Sequence, residues 1–141
     1  MIHPTNSMNP QFLEAALRIA GIMLCGLTMA NFVAAKRFRY RENLAGSEVM
    51  VRQIFHVHCA YIIAIIVALA LLCLGWPGLL LEVGMGRVLS GFFGLFWLSR
   101  VLVQMIYYDK ETRRLNRGWD VFFLGVFLAL AAIFTLAALP R

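Results

Sequence analysis

Polar positions along this chain fall into a few clusters, and the apolar positions between them form four long runs. Phe12–Ala35, Ile54–Trp76, Val88–Tyr108 and Val121–Leu139 are each almost free of charge. The last has no charged residue, the third only Arg100, the second only His56 and His58, and the first only Glu14 and Arg18 near its beginning. At about 1.5 Å per residue, each run reaches across roughly 30 Å of hydrocarbon as a helix. Strands of a closed barrel would instead show about ten alternating residues each, and only helices satisfy their own backbone in lipid without such closure. The pattern predicts an all-α membrane protein, a four-helix transmembrane bundle forming one integral membrane domain over residues 1–141.

Local signals place the boundaries. Asn9-Pro10 reads as an N-cap followed by proline in the first turn, and the first helix is expected to continue through Lys36–Leu44 until Gly46 stops it. Ser47 is expected to cap the second helix, which ends at Gly75-Trp76-Pro77-Gly78, and Asp120 the fourth. Leu79-Leu80-Leu81-Glu82 reads as a short interfacial turn with Trp76 at headgroup depth. Neither an internal repeat nor a low-complexity tract is visible.

Composition supports the membrane reading. The chain is 62% hydrophobic and 14% charged over 141 residues, with mean hydropathy +0.79. A globular domain averages nearer 45–50% and about 25%, and one this short cannot hide the excess in a single core. Disorder, collagen and disulfide scaffolds are excluded by the same figures. Cys25, Cys59 and Cys73 are odd in number and lie in apolar runs, so they behave as small hydrophobes.

The net charge of +6 matters through its distribution. Lys36, Arg37, Arg39, Arg41 and Arg52 lie in the first connection, and Lys110, Arg113, Arg114 and Arg117 in the third. Few cations face the other way: Arg87, Arg141 and at most Arg18. The positive-inside rule therefore predicts an N-out/C-out topology in a cell membrane, the inner membrane if the chain is bacterial. Met1–Gln11 has no lysine or arginine, so the first helix reads as a reverse anchor and not as a cleaved signal peptide. Lys36-Arg37-Phe38-Arg39-Tyr40-Arg41 interleaves cations with aromatics, but directly after a span it reads as an anchor for the anionic headgroups of membrane lipids, not as a nucleic-acid site.

Arg100 is the costliest residue, since a guanidinium deep in hydrocarbon costs about 2.5–3.5 kcal/mol on insertion scales. At 100° per residue, Gln104 and Tyr107 share its stripe, and Glu111 extends it. Asn31, His58 and Gln104 have a similar depth, roughly 6 Å inside the basic end, with Thr28 and Arg100 deeper and Tyr107, Asp109 and Asp120 at the mouth. Arg100, Gln104, His58, Asn31 and Tyr107 are thus the candidate ligand-binding residues of a polar pocket in the cytoplasmic leaflet. The alternative is a purely structural contact in which Arg100 ties helices together.

His56-Val57-His58-Cys59 raises a metal reading, yet the two histidines point about 200° apart on a helix and cannot chelate one ion there. His56 and Cys59 could share an ion only with Cys25, Asp109 or a second subunit as further ligands, so no metal site is assigned. A bis-histidine haem would need His3, at the wrong depth. Neither G-x-S-x-G, a phosphate loop nor paired membrane carboxylates occur, and Glu14 and Arg18 read as an intrahelical pair. His58 is expected inside the bundle and His56 on a stripe leading to the basic loop.

Ala16 and Ala20, Gly26, Ala30 and Ala34, Ser90 and Gly94, and Gly125 and Ala129 recur at four-residue spacing and read as ridges of close helix contact, within one chain or between copies in a larger complex. Phe92, Phe93, Phe96, Trp97, Phe122, Phe123 and Phe127 read as packing or lipid-facing aromatics. The soluble parts are too short for a catalytic domain, which favours a non-enzymatic accessory subunit or lipophilic-ligand-binding module with an unidentified ligand. The rival readings are a small quinone- or lipid-linked enzyme using His58, Arg100 and Tyr107, and an oligomeric anion transporter or channel.

Overall fold

The computed structural model describes residues 9–108 and 110–140, the side chains at 110 and 112 excepted. His3, Asp109 and Arg141 lie outside the described residues. Among the described residues six helices follow one another: α1 (Pro10–Arg37), α2 (Tyr40–Asn43), α3 (Val49–Gly75), α4 (Met85–Ile106), α5 (Lys110–Leu115) and α6 (Arg117–Ala138). A 3₁₀ turn, Pro77–Leu81, joins α3 to α4, and the described residues contain no strand. Four of the helices, α1, α3, α4 and α6, are long and apolar enough to cross a membrane.

Helix α1 begins as its sequence predicts: the Asn9 side chain accepts a hydrogen bond from the Gln11 amide at 3.0 Å, and Pro10 occupies the first turn. Its far end departs from expectation. The helix stops at Arg37, and Arg39 adopts a left-handed conformation (φ 46°) before the single turn of α2. Such a conformation costs a non-glycine residue roughly 1–2 kcal/mol. Two contacts offset it: the Tyr40 ring meets Phe55 of α3 edge-on at 5.4 Å, and Asn43 donates to the Phe38 carbonyl at 2.8 Å. Tertiary contact overrides helix propensity here. Helices α3 and α6 also start differently from expectation: Glu48, not Ser47, precedes α3, and Asn116, not Asp120, precedes α6.

Apart from Gly21 beside Ala20 and Gly86 at the start of α4, the buried positions of α1 (Leu13, Leu17, Ala20, Leu24, Leu27) and of α4 (Ser90, Gly94, Trp97, Val101, Gln104) advance in alternating steps of four and three. That spacing is the seam of antiparallel helix packing at a shallow angle. Helix α4 packs most extensively on α6, and α1 on α3; α1 also touches α6. The order across the molecule is therefore α3, α1, α6, α4.

Small residues set the closest approaches, though only part of the expected ridges serves. A Cβ on Gly94 would lie 2.7 Å from the Thr135 hydroxyl, and one on Gly21, absent from the expected ridges, 2.7 Å from Leu74 Cγ. Gly26 and Gly125, by contrast, have open space where a side chain would go.

The two ends differ in how tightly they close. At the non-basic end the 3₁₀ turn is seated among the helix ends: Pro77, Leu80 and Leu81 are buried, and Ser90 donates to the Leu80 carbonyl at 2.7 Å. Arg18 donates to the Leu74 carbonyl at 2.9 Å, satisfying one of the last carbonyls of α3. Among the described residues the ion pairs are Arg39 with Glu42 and Arg113 with Asp120, so the expected pairing of Arg18 with Glu14 gives way to this longer-range bond. At the basic end, burial in α1 stops at Leu27 and α3 buries nothing before Ile66. The bundle is closed at one end and splayed at the other.

Candidate functional site

The polar candidates separate into distinct environments at the splayed end. Gln104, only 3% exposed, directs its amide Nε2 to the backbone carbonyl of Asp120 at 2.7 Å and to its carboxylate Oδ1 at 2.8 Å. Arg113, reaching back from α5, donates through Nε to both Asp120 oxygens at 3.1 Å and through Nη2 to Oδ2 at 2.9 Å. Its Nη1 reaches the Met105 carbonyl at 3.4 Å. This hydrogen bonding to a carboxylate holds the Arg113 guanidinium above its usual pKa. The end of α4, the third connection and the start of α6 are thereby tied at one carboxylate.

Arg100 lies one turn deeper and is half-buried. Its guanidinium carbon stands 5.3 Å from the centre of the Phe127 ring, a cation–π contact. Trp97 stacks on the same ring at 5.6 Å and 19°. Phe123 continues the stack at 6.1 Å and 26°, and Trp119 extends it at 6.0 Å and 25°. Trp119, Phe123 and Phe127 recur every fourth residue on α6, so one face of that helix carries a ladder of near-parallel rings onto which α4 adds Trp97. The expected partners of Arg100 were polar; the contact found is aromatic. Trp97 Nε1 and Gln104 Oε1, on the same seam, are buried without a hydrogen-bond partner among the described residues.

His58, Asn31 and Tyr107 do not join these groups. His58, expected inside, is exposed, and its Nδ1 donates to the Ile54 carbonyl at 2.9 Å. His56 makes the same intrahelical bond to Arg52 at 2.6 Å and is exposed too, so the two histidines lack the contrast their spacing predicts. The reason lies in α3, whose basic half has no helix packed on it from the other side. Asn31 and Thr28 donate to the carbonyls of Leu27 and Leu24 on their own helix. Tyr107 follows the last residue of α4 and is 82% exposed. No three His, Cys, Asp or Glu side chains converge among the described residues.

Concavities open at this end among the described residues, two of them beside the polar candidates. One, about 350 Å³, is an apolar cleft where α1 and α6 diverge, with Met23, Gly26 and Ala30 facing Phe122, Phe123 and Val126. The other, about 250 Å³ and open, is walled by Arg113, Arg114, Arg117 and Asp120. Sequence reasoning missed both the cleft and the role of Arg113. The opposite charges of Arg113 and Asp120 within one connection were the available signal. Burial, and after it the neighbouring Cys59 and Tyr108, raises the Tyr40 phenol pKa above its usual value. No family model, curated protein or solved structure matches this chain.

Proposed function

We propose that this chain is a four-span integral membrane protein, N-out/C-out, acting as a non-enzymatic binding or accessory module for a lipophilic molecule at its cytoplasmic-leaflet end. The observation that carries the reading is the apolar cleft between α1 and α6. Helices that converge at one end and diverge at the other leave a wedge of hydrocarbon-lined space, and such space takes up an apolar chain without demanding new hydrogen bonds. A dry apolar cavity of about 150 Å³ already admits benzene, so this cleft has room for a longer hydrocarbon. The polar groups nearby already have partners within the protein: Gln104 and Arg113 tie α4, the third connection and α6 at Asp120, and Asn31 and Thr28 bond carbonyls of their own helix. That division of labour supports binding over catalysis, with the polar candidates as the frame of the site and the apolar residues as its contact surface.

Native mass spectrometry of the protein in a mild detergent tests the reading. The wild type should retain a lipophilic adduct, and Gly26→Leu should lose it with no fall in unfolding temperature, because a Cβ at Gly26 meets no atom within 4 Å. A wild type free of adduct, or equal retention by Gly26→Leu, would sink the proposal.

A further inference from the structure

Arg100 carries its charge inside an apolar run and meets an aromatic ring there, not a carboxylate. We propose that it is the docking point for a partner protein, whose transmembrane helix brings an aspartate or glutamate against the free side of α4. This goes beyond the lipophile-binding reading and makes no use of the cleft between α1 and α6.

The guanidinium lacks an acceptor. Its carbon stands 5.3 Å from the centre of the Phe127 ring, and a ring face attracts the charge without offering a lone pair to the N–H groups. Among the described residues none accepts a hydrogen bond from Arg100, and the ion pairs there are those of Arg39 and Arg113. Charged side chains inside spans are rare and almost always paired.

A second copy of this chain does not supply the pair. Within the four apolar runs Glu14 is the only carboxylate, and it lies near the closed end. Arg100 lies near the splayed end, six residues before Ile106, or about 9 Å along α4. Copies of one topology keep these depths apart. Asp120, outside the runs, is taken by Arg113 and Gln104. The missing anion therefore belongs to a different chain.

The fold leaves that chain a seat. Helix α4 stands at the end of the row and packs on α6 and the 3₁₀ turn. By helical rotation Arg100 lies about 40° from buried Gln104 on one flank and about 40° from exposed Phe96 on the other. The exposed flank runs on as Phe92, Phe96, Ser99, Val103 and Ile106, advancing in the same steps of four and three as the buried seam. Ser99 is small, and its hydroxyl turns back to the Phe96 carbonyl at 2.7 Å, so a second backbone can come close there. Lipid chains cover such a stripe as readily as a helix does, but they bring no carboxylate. A carboxylate accepts the forked N–H groups of a guanidinium in charge-assisted bonds, which strengthen away from water.

Synthetic leucine-rich helices of about 22 residues, the length of α4, test this against the purified full chain in phosphatidylcholine vesicles, read by fluorescence energy transfer. Each carries aspartate or asparagine six positions from one end. Wild type should bind the aspartate helix about tenfold more tightly than the asparagine helix. Arg100→Leu should erase that preference, Arg100→Lys should keep part of it, and Arg41→Leu in α2 should leave it whole. Ser99→Phe should weaken the aspartate helix by filling the seat beside Arg100.

Equal binding of the two helices by wild type would overturn the proposal, as would a preference that survives Arg100→Leu. Loss of the preference when one lipid in five is phosphatidylglycerol would overturn it in favour of an anionic headgroup. Energy transfer between labelled copies of the chain that vanishes in Arg100→Leu would overturn it in favour of a second copy. Each of these outcomes is separate from retention of a lipophilic adduct, on which the cleft stands or falls by itself.

Discussion

Arg113 grips Asp120 with two nitrogens on two oxygens, and the pair spans the turn between α5 and α6. The carboxylate is mostly shielded, its side chain 14% exposed, and Gln104 holds it from the α4 side. Geometry of this kind, bidentate and shared with a third group, is where an ion pair exceeds the small value of exposed pairs.

Removing either partner should therefore loosen the third connection as a unit. Arg113→Gln and Asp120→Asn should each lower the unfolding temperature by a few degrees and speed tryptic cleavage near Arg114. The double variant should be no worse than the worse single one, the signature of a shared interaction. Additive losses in the double variant would show that the two residues act separately.

Gln104→Ala removes two hydrogen bonds to Asp120 and leaves a cavity at a buried seam position. At about 1 kcal/mol for each bond plus the lost packing, the loss should reach roughly 2–3 kcal/mol in denaturant unfolding. Gln104→Leu should lose less, because leucine fills the space and also removes the amide oxygen that has no partner among the described residues. If leucine costs as much as alanine, packing is not the difference.

The two glycines of the small-residue ridges should respond oppositely. A Cβ at Gly94 would sit 2.7 Å from Thr135 Oγ1 and 3.1 Å from its backbone nitrogen, so Gly94→Ala should force α4 and α6 apart and destabilise by roughly 1–3 kcal/mol. Gly125 has no atom within 4 Å of that position, and Gly125→Ala should be neutral or stabilising by up to about 1 kcal/mol through helix propensity. Comparable destabilisation of both would mean that Gly125 meets a second chain.

These contrasts show where sequence pattern carries information and where it stops. The four apolar runs, the Asn9-Pro10 start and the Ser90–Gly94 ridge were legible because each depends on periodicity or on neighbouring residues. His58 was not, since its exposure follows from α3 having no partner along its basic half, a property of how other helices diverge. Arg100 was half legible: its need for a partner follows from its place in the run, but the partner, Phe127, depends on helix rotation. The ending of α1 at Arg37 was hidden because the Tyr40 contact with Phe55 links separate elements.

Arg100→Leu should leave the fold intact. Two opposing effects decide this. Losing the guanidinium removes the contact with Phe127, worth about 0.5–2 kcal/mol. In the proposed membrane setting it also removes an insertion cost of about 2.5–3.5 kcal/mol, and leucine packs well beside an aromatic face. The insertion cost is common to the folded and the detergent-unfolded chain and largely cancels, so unfolding in detergent should show a loss no larger than the contact itself, about 0.5–2 kcal/mol. A marked loss would reveal a polar partner for Arg100 beyond Phe127.

The proposed N-out/C-out topology rests on charge distribution alone and is open to direct measurement. Nine cations occupy the connections at the splayed end, Lys36, Arg37, Arg39, Arg41 and Arg52 in one and Lys110, Arg113, Arg114 and Arg117 in the other. Moving even a few of them across a bilayer is disfavoured, whereas the opposite side asks only for Arg87, Arg141 and the rim residue Arg18, whose guanidinium is already bonded to Leu74. An alkaline phosphatase fused after Arg141 in a bacterial host should be active, and a cytoplasmic reporter at the same point silent. The same phosphatase inserted between Leu44 and Glu48 should be inactive. The reverse pattern would place the basic end, and with it the cleft between α1 and α6, in the outer leaflet, and the arginines would then face lipids of a different headgroup composition.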